Sequence, residues 1–434
     1  MKKKTINVGI IGFGTVGTGT AKILLENKDL LKARSGFDVV LKKIADLDIK
    51  RDRGIKVPDG VLTTDAASVI ADPDIDIIVE LMGGIHPAKE FILKAIANKK
   101  HVVSANKALL ATEGNDIFAA AEKNEVQVGF EASVAGGIPI IKVLREGLIA
   151  NNMVAIYGII NGTSNYILTK MTDEKVEFSD ALKEAQRLGY AEADPTFDIE
   201  GIDSAHKLTI IASLAYGIPL SYNEVYKEGI TKITAEDIEF ASELGYKIKL
   251  LAITKASNGE IEMRLHPTMV PVGYLISKVD GVFNAVYVEG DAVGATLYYG
   301  RGAGDMPTGS AVVADIVDIG KKIVSGCGIK DAAFRMQNTK LKIKGIEDIE
   351  SKYYFRFAAM DKPGILSRIS GILGNYNISI ASVIQKGRRI GGSVPLVVLT
   401  YMAKERDVIS AVKEIDALPI VADKTVFIRV EGDE

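Results

Sequence analysis

The chain has 434 residues, a formal net charge of −3 and a single cysteine, Cys327. It is too long for one core and fits about three domains, while its charge balance excludes a strongly basic nucleic-acid binder and its lone thiol excludes a disulfide framework or a cysteine zinc site. The basic start leads at once into an apolar run at residues 6–11, which Asn7 and Gly9 interrupt, so neither a signal peptide nor a membrane span is expected, and a reducing cytoplasm is.

Residues 6–11 read as a short buried parallel strand. Gly12-Phe13-Gly14-Thr15-Val16-Gly17 follows, then an amphipathic helix over residues 16–31. Gly12 suits the tight turn, Gly14 lets the backbone approach a pyrophosphate, and Gly17 allows close helix–strand packing. The helix start offers its N–H groups to phosphate. A second strand, residues 37–45, ends at Asp46, whose carboxylate suits ribose hydroxyls and disfavours a 2′-phosphate. Lys50, Arg51 and Arg53 pull the other way, and all four charges fit a surface loop equally well; the balance leans to NAD with NADP tolerated. Strands at 75–81 and 101–104 and helices at 87–98 and 115–124 continue the alternation, which means a Rossmann-type, doubly wound parallel sheet. Met82-Gly83-Gly84 and Ser104-Ala105-Asn106-Lys107 fall at the functional, C-terminal strand ends, which favours Lys107 as a working residue.

Glu131 opens a small-residue loop that runs to Pro139. By its residues alone it is a tight turn or a cradle of carbonyls for a hard monovalent cation. Residues 159–168 place Asn161, Thr163, Ser164 and Asn165 before an apolar helix, more polar groups than capping needs. From Gly189 to Lys207, five carboxylates and a lysine lead into an apolar helix. Asp203 and Lys207 share one face at i and i+4, either as an ordinary helix-surface ion pair or as part of a reacting centre. His206 and His266 read as structural. A second glycine loop, residues 300–307, precedes a helix over 308–324 whose apolar spacing returns it to the nucleotide domain. Beyond a charged linker, residues 331–352, the pattern over 353–434 is β-α-β-β-α-β, a ferredoxin-like module.

On Gly12–Gly17, Ser104–Lys107, the loop from Glu131, and the segments 161–168 and 189–207, the chain resembles the homoserine dehydrogenases. On Asp361–Gly364 and residues 374–378 its last module resembles an ACT domain. The resemblance implies reversible NAD(P)H-dependent reduction of L-aspartate 4-semialdehyde to L-homoserine, in threonine, methionine and isoleucine synthesis. It implies Lys207 as general acid/base, Asp203 and Glu192 as substrate-binding carboxylates, Thr163 and Tyr190 as further substrate contacts, and Lys107 near nicotinamide and substrate. Gly189 and Gly304 would contact the cofactor. Glu131, Val134, Gly136 and Ile138 would hold a sodium ion. The implied organisation is a nucleotide domain (1–130, completed by 305–330), an α+β substrate and dimerisation domain (131–304) and the ACT domain, in a homodimer or homotetramer with L-threonine as effector. A lysine can serve as both acid and base when burial brings its pKa toward neutrality.

Overall fold

The computed structural model describes residues 4–326, 341–386 and 393–432; Cys327 and residues 331–340 of the expected linker lie outside them. The chain forms two compact units, Met1–Gly162 with Asp203–Val225 and Phe283–Lys340, and Thr163–Ile202 with Tyr226–Val282 and Leu341–Glu434.

In the first unit, six parallel strands carry the expected alternation: β1 (Thr5–Ile11), β2 (Asp38–Ala45), β3 (Leu62–Thr63), β4 (Ile77–Glu80), β5 (His101–Ser104) and β6 (Val128–Gly129). Their order, β3-β2-β1-β4-β5-β6, reverses direction at β1, so the switch point lies where β1 and β4 end side by side. β4 and β5 are buried at every position, the mark of strands covered on both faces. Helices α1 (Thr15–Glu26), α2 (Lys28–Ser35), α3 (Ala66–Ala71), α4 (Ala88–Ala97) and α5 (Lys107–Asn124) connect them. The predicted first helix is interrupted at Asn27: α1 buries Ala21, Ile23 and Leu24, whereas α2 has no fully buried residue and rests the half-buried Leu31 on the same core. α5 begins eight residues before the predicted start, because Asn106 caps it by accepting from Leu109 N–H at 3.2 Å.

The helix Asp305–Ser325 packs on α1 and places Val312, Val313, Ile316 and Ile319 in the same core as Ile6, Val8 and Ile10. The approach is so close that a Cβ on Gly19 would stand 2.1 Å from the Asp305 carbonyl oxygen. Three antiparallel strands, Met153–Ile159, Phe283–Gly290 and Gly294–Arg301, complete this unit.

The second unit is built on the hairpin Tyr246–Ser257 and Glu260–Pro271. Strand Val426–Val430 pairs in parallel with the latter, setting Arg429 opposite Thr268, and on its other side pairs with Glu350–Met360. Ser393–Thr400 and Ile380–Gln385 extend the sheet, and helices Ile365–Asn375 and Glu405–Asp416 cover it. The expected β-α-β-β-α-β order is present, with its first strand beginning three residues earlier. No helix among the described residues is long and apolar enough to cross a membrane.

Candidate active site

The glycine turn after β1 has the geometry its sequence calls for. Gly12 sits at φ +101°, and a Cβ there would meet the Leu81 carbonyl at 2.6 Å; one on Gly17 would meet the Gly12 carbonyl at 2.2 Å. Above Gly14 the space is open, and α1 starts with no side-chain cap, leaving its N–H groups available to an anion. Asp46 Oδ2 accepts from Phe13 N–H at 2.6 Å, while Oδ1 accepts from Arg53 Nη2 at 3.2 Å. The Arg53 guanidinium lies 4.6 Å from the Phe13 ring centre, and its Nε donates to the Phe13 carbonyl. Arg53 is therefore a fixed part of this turn, and Asp46 has its charge offset. Lys50 and Arg51 give only their backbone N–H groups to the Asp48 turn.

At the C-terminal ends of β4 and β5 the two candidate loops are tied together. The buried Glu80 accepts from Met82 N–H at 2.8 Å and from the Ser104 hydroxyl at 2.6 Å; Asn106 donates to the Gly84 carbonyl at 2.7 Å. Burial pushes the Glu80 carboxyl up, against the opposing bonds from Ser104, Met82 and Asn106. Sequence reasoning took Glu80 as part of an apolar strand. The signal it passed over was a carboxylate at a position that strand pattern buries.

Lys107 opens α5, and its Nζ reaches Asp203 Oδ1 at 2.6 Å. On helix Ile202–Tyr216, Lys207 donates to Asp203 Oδ2 at 2.6 Å and to the Ile160 carbonyl at 2.7 Å. Asn161 Nδ2 donates to the same Oδ2 at 2.9 Å. The side chains of Lys207 and Asp203 are only 9% and 6% exposed, which disposes of a solvated surface pair; Lys107 is 42% exposed. Burial alone would push the Asp203 carboxyl up, but the ammoniums of Lys207 and Lys107 outweigh it and hold the group well below the usual carboxylate range. Asp203 is thus an anion shared by two cations. His206, next on the helix, stacks on Tyr222 with ring centres 4.5 Å apart, as a structural histidine would.

Glu131 is buried after β6 and accepts from Ile141 and Lys142 N–H, both at 2.9 Å. Burial and neighbouring Asp315 push its carboxyl up to about 7. Val134, Gly136 and Ile138 are buried in the following loop, where Ala135 and Gly136 have φ of +53° and +52°. No cluster of three or more His, Cys, Asp or Glu suited to a metal exists among the described residues. Gly304 caps helix Asp305–Ser325 at φ +123° and is exposed.

The remaining candidates belong to the second unit. The Thr163 hydroxyl donates to the Tyr190 carbonyl at 2.7 Å, and the Tyr190 ring lies 4.9 Å from that of Tyr166. Gly189, at φ +75°, and Glu192 are exposed. Asn165 is structural: it donates to the carbonyls of Val279 and Gly281, and buried Lys249 reaches both its Oδ1 and the Val279 carbonyl.

Comparison with known proteins matches three families: the homoserine dehydrogenase NAD binding domain over residues 12–131, homoserine dehydrogenase over 139–317, and the ACT domain over 353–420. Homoserine dehydrogenases of Neisseria gonorrhoeae and Pseudomonas aeruginosa are each 47% identical, over 99% of this chain and 99% of theirs. Among solved structures, a homoserine dehydrogenase from Thiobacillus denitrificans superposes with a TM-score of 0.94 at 48% identity, covering 99% of both chains. A hyperthermophilic archaeal homoserine dehydrogenase in complex with NADPH has a TM-score of 0.62 at 28% identity, covering 73% of this chain and 98% of that one.

Proposed function

The chain belongs to the homoserine dehydrogenase family of NAD(P)-dependent oxidoreductases, and we propose that it interconverts L-aspartate 4-semialdehyde and L-homoserine with Lys207 as the proton-transfer group. The open turn at Gly12, Phe13, Gly14, Thr15, Val16 and Gly17 suits a dinucleotide pyrophosphate, with Gly189 and Gly304 as further contacts. When bound, the coenzyme supplies a hydride to the aldehyde carbon, or takes one from the alcohol. Lys207 gives its proton to the carbonyl oxygen in reduction and removes the hydroxyl proton in oxidation. Lys107 adds positive charge beside the same oxygen. Glu192 and Asp203 are the carboxylates for the substrate's α-ammonium, and Asp203, engaged by both lysines, also fixes the lysines. Thr163 and Tyr190 complete the substrate contacts. The observation that carries this reading is the single buried carboxylate set 2.6 Å from each of two lysines. The test is coenzyme reduction by the purified chain with L-homoserine; no turnover with either coenzyme overturns it.

A sodium ion would sit with Glu131, Val134, Gly136 and Ile138. The donor chemistry fits: each Glu131 oxygen accepts one N–H and keeps lone-pair capacity, and the raised carboxyl calls for a cation. Such an ion would brace the loop and take no part in proton transfer. Both coenzymes are accepted, in our reading, because Arg53 offsets Asp46.

L-threonine acts at the last module and closes a feedback loop on threonine, methionine and isoleucine synthesis in the cytoplasm. The support is a cavity of about 270 Å³ lined by Asp361, Lys362, Pro363, Gly364 and Gln385. A truncation before Ser351 would remove Arg429 and Glu431, which are bonded to Glu228 and the buried Arg264, so the clean test is Asp361→Ala in the full chain. Threonine inhibition that survives that change overturns the assignment. Assembly as a homodimer, or a homotetramer, is expected through the antiparallel strands of the first unit, where Tyr299 is exposed; sedimentation tests it.

A further inference from the structure

We propose that Asn161 is a positioning residue of the proton-transfer centre, allotting Asp203 between the two lysines; this rests on the reading of Lys207 given above. Asn161 follows strand Met153–Ile159 by two residues and immediately precedes helix Gly162–Glu174. An asparagine there is ordinarily a cap. Its Nδ2 crosses to Asp203, 42 positions further along the chain, and the residue is buried.

The consequence lies in how the Asp203 oxygens are divided. Oδ1 takes Lys107, from the start of α5. Oδ2 takes both Lys207, from its own helix, and the uncharged Asn161 amide. Lys207 is anchored a second time by the Ile160 carbonyl. Two adjacent residues, Ile160 and Asn161, therefore set both ends of the Lys207–Asp203 pair. These two lysines are the cations that dominate the field on Asp203.

Two things follow from elementary chemistry. A carboxylate turns about its Cβ–Cγ bond, and a neutral donor anchored on another segment pins that rotation, keeping one oxygen for each lysine. A shared oxygen also spreads its charge over two donors. Without Asn161, the whole charge of Oδ2 falls on Lys207 and favours its ammonium form. In the oxidation direction, where Lys207 must begin neutral, fewer molecules are then competent at a given pH.

The experiment compares wild type with Asn161→Leu and Asn161→Asp in the full chain, measuring homoserine oxidation across pH. The leucine variant should lose about ten- to a hundredfold in kcat at neutral pH, from one lost hydrogen bond to a charged group, with KM for coenzyme unchanged. The acidic limb of its profile should move to higher pH. The aspartate variant, of the same shape but carrying a second anion against Asp203, should move the limb further in that direction. A purely structural role lowers stability and leaves the limb where it was, and that result in either variant overturns the proposal. Lys207→Ala separates the two layers. If that variant turns over normally, the proton-transfer reading fails; if it is inactive while both Asn161 profiles match wild type, only the positioning role fails.

Discussion

Among the described residues, each unit has a buried cluster of opposite charges that draws on several segments, and these two are chemically unlike. In the first unit, Asp203 is the single carboxylate among two lysines and an amide, and Lys107 reaches solvent. In the second, Arg264 donates to Glu262, Glu431 and His266, and Arg429 donates to Glu405, Glu228 and Tyr226. There each guanidinium lies among carboxylates from several segments, and it keeps its charge near neutrality. An ammonium on a shared carboxylate can release and regain a proton; a saturated guanidinium can only hold strands together. Buried ion pairing is therefore not itself a mark of function, and the identity of the cation and a path to solvent are what separate the two clusters.

The strongest break between the clusters is expected from Lys207→Ala, which should lower kcat by about 10²- to 10⁴-fold while the chain stays folded. A chain still folded at the assay temperature alongside lost turnover would bear this out, and a melted protein would not. Arg429→Met is the opposite case. It strips the buried Glu405 of its cation and should cost about 3–5 kcal/mol in denaturant unfolding, with turnover per folded molecule retained. Equal loss of activity and stability in both variants would erase the distinction.

How far each cluster was legible in the sequence follows from its spacing. The glycine turn, the parallel alternation and the ferredoxin-like module rest on local patterns, and all three are present. Asp203 and Lys207, four residues apart, were visible as a pair, but their burial was not, since spacing alone equally describes a surface helix. Lys107 lies 96 positions before Asp203 and joins it only through the sheet topology. Nothing local announces Arg264 with Glu431, or Arg429 with Glu228, because their partners arrive on strands paired in parallel from distant parts of the chain. Asn161 and Asn165 were both legible as surplus polar groups; only tertiary structure sends one to Asp203 and the other to the carbonyls of residues 279 and 281.

The second cluster should also respond to mild acid, at a higher pH than the first, whose Asp203 takes up its proton only below the usual carboxylate range. His266 Nε2 faces Arg264 at 2.7 Å, and a guanidinium can only donate, so the ring is neutral with its proton on Nδ1, beside the Pro267 carbonyl. Burial, with Arg429 and Arg264 nearby, holds its pKa well below the ordinary 6.5. As pH falls below 6.5 the unfolded chain takes up a proton that the folded chain refuses. Stability present above that value is then lost at about 1.4 kcal/mol per pH unit. Denaturant unfolding at pH 6.5 and 5.5 should reveal the slope, and His266→Gln should reduce it to the share left by His101, which burial holds down to about 4. An unchanged slope would mean that the arginines do not keep the ring neutral.

The smallest effect concerns a third arrangement, intermediate between the two clusters: Arg53 with Asp46 at the glycine turn. Here a guanidinium, largely buried, offsets one carboxylate and also holds the Phe13 carbonyl. If its part were only to stiffen the turn, as Arg429 stiffens a sheet, Arg53→Ala would weaken both coenzymes alike. Because it also neutralises Asp46, its removal should expose that charge to a 2′-phosphate and leave a 2′-hydroxyl little affected. The ratio of kcat/KM for NADPH over NADH should then fall by about two- to fivefold, the scale of a partly screened charge interaction. A ratio that stays constant while both values drop would assign Arg53 to the turn alone, and Asp46 would lose its part in coenzyme choice.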